Sequence, residues 1–122
     1  VNPDFRLGPY ATTKYAVVAL TEALHQDLAG SNIGVSILAP AAVNTHIHAS
    51  GSNRPARFGG AYQRQGAEGL QTALASGLAP EEVGERVLRA IRDKELYIFT
   101  HAAPKTWFSA RFEKILAAFG KI

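Results

Sequence analysis

Tyr10 and Lys14 stand four residues apart in the stretch LGPYATTKYAVVALTEALHQDL. On a helix that spacing places a phenol and an ammonium on one face, a single turn apart. A phenol alone is a poor proton donor and acceptor near neutral pH. Bringing one into that range takes about 4 kcal/mol. A unit charge ~4 Å away, at an effective dielectric of ~20, supplies about that much. The pair is therefore a candidate general acid and base. A second chemical feature follows a short apolar run: Pro40-Ala41-Ala42-Val43-Asn44-Thr45. Thr45 offers a hydroxyl and the segment offers main-chain N–H groups, a donor set suited to a carboxamide or a phosphate.

The elements that must position these groups are legible in outline. Pro3, Gly8 and Pro9 make a turn-rich lead-in. A helix is expected from about Tyr10 to Leu28, with Val17, Leu20, Leu24 and Leu28 as its apolar stripe and Gly30, Ser31 and Asn32 as its stop. GVSILA (Gly34 to Ala39) reads as a strand apolar on both sides, as in a buried parallel sheet, and Pro40 ends it. Residues 40–66 are irregular and rich in Gly, Ser, Asn, Pro and Arg. Such long loops in compact domains are commonly functional.

A weaker helix is expected over Ala67–Ser76. A firmer one runs from Pro80 to about Asp93, with proline in the first turn, Glu81 and Glu82 complementing the dipole, and Val83, Val87 and Ile91 as its buried face. LYIFT (Leu96 to Thr100) reads as a second buried strand. A helix from Lys105 to Phe119 carries Phe108, Phe112, Ile115 and Phe119 along one side.

The alternation of helix and strand predicts a parallel α/β fold. Two short parallel strands do not make a stable sheet alone. The expectation is therefore the C-terminal part of a doubly wound, Rossmann-like sheet, with two strands and three to four helices in these 122 residues. The absence of methionine from the sequence fits the same expectation of a segment of a longer chain. In such sheets, ligands bind outside the carboxyl ends of the strands, where Pro40–Thr45 falls.

Composition narrows the function classes. The net charge of +3 is scattered from Arg6 to Lys121 without a basic run, which argues against nucleic acid. No apolar run approaches the ~20 residues of a membrane span. With no cysteine there is neither a disulfide framework nor thiolate chemistry, and the cytoplasm is the default compartment.

With LGPYATTKYAVVALTEAL, GVSILAPAAVNT, and APEEVGERVLRAI followed by LYIFT in this order, the chain resembles the C-terminal half of the short-chain dehydrogenase/reductase family. The resemblance implies one NAD(P)-binding Rossmann-type domain whose C-terminal half is residues 1–122, with 46–78 as the substrate-binding loop region. It implies hydride transfer between NAD or NADP and a carbonyl or secondary alcohol, with Tyr10 as the acid/base. Lys14 would tune that phenol and bind the nicotinamide ribose hydroxyls.

Within the same resemblance, Pro40, Ala41, Val43 and Thr45 would form the nicotinamide segment, the backbone of Val43 holding the carboxamide. The loop and tail point to hydrophobic or aryl alcohols and ketones, and the family to a homodimer or homotetramer. The family usually has glycine where Ala41 stands. Its glycine-rich fingerprint, structural asparagine and substrate-polarising serine would lie upstream of Val1. The alternatives are a non-catalytic relative acting by association, or an epimerase or dehydratase using the same pair.

Other features are weighed against blander readings. His46 and His48 form an H-x-H pair with no third ligand at zinc spacing, so no metal is expected, and His46 can face substrate. Phe58 and Tyr62 can line an apolar pocket. Arg54, Arg57 and Arg64 fit a solvated loop better than an anion site. The aromatic C-terminal helix with Trp107 fits a sheet cover or subunit interface better than a membrane surface.

Overall fold

The structure, a computed structural model, describes residues 7–62 and 67–120. Helix α1 spans Gly8–Asp27 and begins two residues earlier than expected, because Pro9 occupies its first turn, where a missing N–H costs nothing. Past its end, Gly30 takes φ +83°, the left-handed conformation that lets the chain reverse. Strand β1 is Ile37–Ala39 and strand β2 is Tyr97–Phe99. They pair in parallel, with Ile37 opposite Tyr97, Leu38 opposite Ile98 and Ala39 opposite Phe99. Between them lie 3₁₀ stretches at His46–Asn53 and Ala56–Phe58, then helices α2 (Ala67–Ala75) and α3 (Pro80–Arg92). Helix α4 (Pro104–Phe119) follows β2. The described chain is thus a partial Rossmann-like α/β unit with two parallel strands.

Packing departs from the expected pattern at particular residues. On α3, Val83 and Ala90 are buried, while Ile91, expected on the inner face, is 56% exposed. The inner stripe is Val83, Val87 and Ala90. Helix α3 packs on β2, and Ala90 and Ile98 are both buried. Ile98 is buried, whereas Tyr97 and Phe99 on the other face of β2 are exposed, as is Leu38 of β1. The strands expected to be buried on both sides are therefore covered only in part by the described residues. Val17, Leu20 and Leu24 of α1 are also exposed, and the α4 stripe leaves Phe112 and Phe119 exposed while Phe108 meets Phe99 edge-on at 5.8 Å. Trp107 is half-buried against Phe108 at 4.8 Å. Among the described residues no helix is long and apolar enough to cross a membrane.

Helix α1 is tied to the sheet across 75 residues of sequence: the Tyr97 hydroxyl donates to Glu22 Oε1 at 2.6 Å. That bond, some burial and the carboxylate's charge all hold the Tyr97 proton, raising its pKa above the ordinary 10. The folded state therefore binds this proton more tightly than the unfolded chain. Its contribution is complete below the unfolded value of about 10 and is lost as pH rises through the raised folded one. Tyr97→Phe should lower stability by about 0.5–1 kcal/mol near neutral pH. It should also remove this part of the alkaline loss, as read from urea midpoints at neutral pH and above about pH 10.

Candidate active site

The orientation of α1 follows from its connections. It leads through residues 28–36 into β1, and its Glu22 reaches Tyr97 at the amino end of β2. A helix feeding a strand of a parallel sheet runs antiparallel to it. The start of α1 therefore points toward the carboxyl ends of the strands, with Tyr10 about 18 Å along the helix from Glu22. Tyr10 and Lys14 occupy the first two turns, and the Lys14 ammonium lies 5.4 Å from the centroid of the Tyr10 ring. The flanking threonines turn their hydroxyls back to the helix: Thr12 donates to the Gly8 carbonyl at 2.9 Å and Thr13 to the Tyr10 carbonyl at 2.7 Å. These bonds leave the phenol and the ammonium as the outward-facing polar groups of this turn.

Tyr10 is 55% exposed. Exposure sets how far the ammonium can act. A unit charge ~4 Å away is worth about 1 kcal/mol in water against about 4 at an effective dielectric near 20. The full effect of Lys14 on the phenol requires something to cover this face of α1.

The turn after β1 is held from two sides. On one, the Leu78 N–H donates to the Ala42 carbonyl at 3.1 Å and the Asn44 N–H donates to the Leu78 carbonyl at 2.9 Å, which makes Val43 and Leu78 a parallel bridge. Gly77 is required there, since a Cβ would stand 2.7 Å from the Ala42 carbonyl carbon and oxygen and 2.9 Å from Val43 N. On the other, the Ala41 N–H donates to Thr100 Oγ1 at 3.1 Å. Because residues 42 and 44 bond to Leu78, strand alternation turns the N–H and C=O of Val43 to the opposite side. One donor and one acceptor side by side are what a primary carboxamide needs. Thr45, half-buried and extended with φ −133° and ψ 168°, follows immediately.

The loop residues are placed less informatively. The rings of His46 and His48 lie 6.2 Å apart, and His48 Nδ1 is enclosed with no hydrogen-bond partner among the described residues. No group of three or more His, Cys, Asp or Glu that could hold a metal occurs among the described residues. Arg57 stacks on Phe58 at 4.9 Å and Arg54 on Tyr62 at 5.5 Å, so both guanidiniums cover rings. The loop closes through Gly51, whose carbonyl accepts from the N–H groups of Arg54 and Tyr62 at 3.4 and 3.2 Å. Arg64 lies outside the described residues.

Sequence reasoning missed Gly77, Leu78 and Thr100, the residues that hold the turn. No local signal pointed to them, because each acts through a contact distant in sequence.

A tyrosine/lysine pair at the amino end of a helix, a parallel strand after it, and the Val43 N–H and C=O turned away from Leu78 beyond that strand's carboxyl end belong to a partial Rossmann-like α/β unit. The family model described as short chain dehydrogenase matches residues 1–55. The chain is 30% identical over 112 residues to a C alpha-dehydrogenase of Sphingobium sp., an alignment covering 89% of this chain and 37% of that protein. It is 26% identical over 117 residues to a CLA biosynthesis dehydrogenase/reductase of Lactiplantibacillus plantarum, covering 88% of this chain and 41% of that one. It is 25% identical over 111 residues to a dehydrogenase/reductase SDR family protein 7-like of Drosophila melanogaster, covering 81% and 32%. The chain is similar to the short-chain dehydrogenase/reductase family, whose model covers its first 55 residues. It spans about two fifths or less of the length of these relatives.

Proposed function

We propose that these 122 residues serve as the C-terminal half of a single NAD(P)-binding domain in an oxidoreductase that interconverts a secondary alcohol and a ketone. The observation that carries the reading is the Tyr10–Lys14 pair on α1, with the amide pair of Val43 at the carboxyl end of β1. The nicotinamide, when bound, supplies or accepts the hydride. The chain's own residues do the rest.

Tyr10 donates its phenolic proton to the carbonyl oxygen during reduction and removes the hydroxyl proton during oxidation. Lys14 stabilises the phenolate left behind, and its remaining donors suit ribose hydroxyls. The N–H and C=O of Val43 fix the carboxamide in one orientation, and Thr45 adds a hydroxyl toward carboxamide or phosphate. Pro40 and Ala41 set the turn that aims these groups. Covering the Tyr10 face with cofactor and the upstream half of the domain lowers the local dielectric, and Lys14 then acts on the phenol at full strength. His46, Phe58 and Tyr62 belong to a 46–78 region that contacts a small hydrophobic or aromatic substrate.

The reading is tested in the full-length polypeptide by following deuterium between C4 of the nicotinamide and the carbinol carbon of the product alcohol.

A further inference from the structure

The register of the two strands exposes a substitution of one acceptor for another. In the ladder, the Ile37 N–H donates to the Leu96 carbonyl at 2.7 Å. Parallel pairing repeats every two residues, so the donor two steps beyond Ala39 is Ala41 and its ladder acceptor is the carbonyl of Thr100. That carbonyl accepts instead from Arg86 Nη1 at 3.0 Å. The Ala41 N–H instead donates to the side-chain oxygen of the same residue, Thr100 Oγ1, at 3.1 Å. Thr100 is 2% exposed, so the bond is shielded from competing water.

The hydroxyl has a second partner, His101 Nδ1, at 2.7 Å. Since Oγ1 accepts from Ala41, the arrangement that also uses its proton is donation to Nδ1, which puts the ring proton on Nε2. Arg86 thus holds the carbonyl, His101 orients the hydroxyl, and the hydroxyl carries the hydrogen bonding between the two strand ends on to Ala41.

We infer that Thr100, oriented by His101, is a positioning residue for the nicotinamide segment. It fixes Ala41 from β2 while Leu78 fixes residues 42 and 44, and the N–H and C=O of Val43 between them are turned away from Leu78. The proposal rests on the NAD(P) reading above. It explains how alanine is accommodated at position 41: the turn is held through the amide of that residue rather than through its conformational freedom.

The test uses the full-length polypeptide and Thr100→Val, which keeps the shape and removes the hydroxyl. The dissociation constant for NADH or NADPH, by fluorescence titration, should rise about tenfold, the scale of one lost buried hydrogen bond. At saturating cofactor, kcat should stay within about twofold, because Tyr10 and Lys14 are untouched. Exchange of the Ala41 amide should accelerate in the cofactor-free protein, and Thr100→Ser should restore both readouts. If Thr100→Val does not fold, His101→Leu reads the same device, with an expected rise of about threefold in that constant. Unchanged cofactor affinity and Ala41 exchange in the folded variant overturn this proposal alone. Absence of any NAD(P)H binding by the unsubstituted protein overturns the reading beneath it, and this proposal with it.

Discussion

Tyr10→Phe in the full-length polypeptide should lower kcat by about 10²- to 10⁴-fold, the usual contribution of a positioned general acid or base. That is about 3–5 kcal/mol of barrier, carried by one oxygen atom. The ring remains, and with it the contact with the Lys14 ammonium at 5.4 Å. Tyr10 is more than half exposed, so its stability contribution is small, and the variant should unfold within about 0.5 kcal/mol of the parent. NAD(P)H affinity should change by no more than about threefold, since Val43 and Thr45 are untouched. A loss of rate at saturating substrate and cofactor, with fold and binding retained, is the signature of a group acting on the reacting atoms. Steady-state kinetics beside thermal unfolding of both proteins separates this from a general defect.

The second large effect is expected at Gly77. An alanine there would place its Cβ 2.7 Å from the carbonyl carbon and oxygen of Ala42 and 2.9 Å from Val43 N. All of these atoms are backbone and none can swing aside. Either the Leu78 bridge opens or the Ala42–Val43 turn shifts, and overpacking of this kind costs about 1–3 kcal/mol. Because the displaced atoms carry the proposed carboxamide contacts, Gly77→Ala should weaken NAD(P)H binding by about tenfold beyond its effect on folding. Gly69 in α2 is the control. A Cβ there meets nothing within 4 Å among the described residues, and alanine should be neutral or stabilising by up to about 1 kcal/mol. Urea denaturation and fluorescence titration of the two variants compare a glycine needed for close approach with one that is not.

The Tyr10–Lys14 pair was legible in the sequence because it depends on one helix and one spacing. Helix α1 was legible through its apolar stripe and Gly30 beyond its end, while Pro9, read as lead-in, lies in its first turn; α3 was legible through Pro80 and the acidic first turn. The inner face of α3 was legible only to within one position. Counting large apolar residues selects Ile91, whereas the residue buried is the small Ala90. The end of α3 carried no glycine signal, because Lys94 itself takes the left-handed conformation at φ +56°. The 3₁₀ stretches at His46–Asn53 and Ala56–Phe58 have no strong hydrophobic period and were read simply as loop.

What the sequence could not display was the support of the Pro40–Thr45 turn. That support depends on a register linking residues 59 apart, in which the Ala41 N–H, just past β1, meets the Thr100 side chain, just past β2. The chemistry-bearing residues are local and readable. The residues that aim them are long-range and are not.

The central claim is that this chain supplies the proton-transfer half of a hydride exchange with a nicotinamide. The most direct measurement incubates the full-length polypeptide with NADH or NADPH deuterated at C4 and a panel of aryl and aliphatic ketones, with mass analysis of the alcohols formed. The account predicts deuterium on the carbinol carbon of at least one product, and its loss when Tyr10 is replaced by phenylalanine. Isomerised or dehydrated products carrying no cofactor deuterium, or undiminished label transfer in the Tyr10→Phe variant, would contradict it.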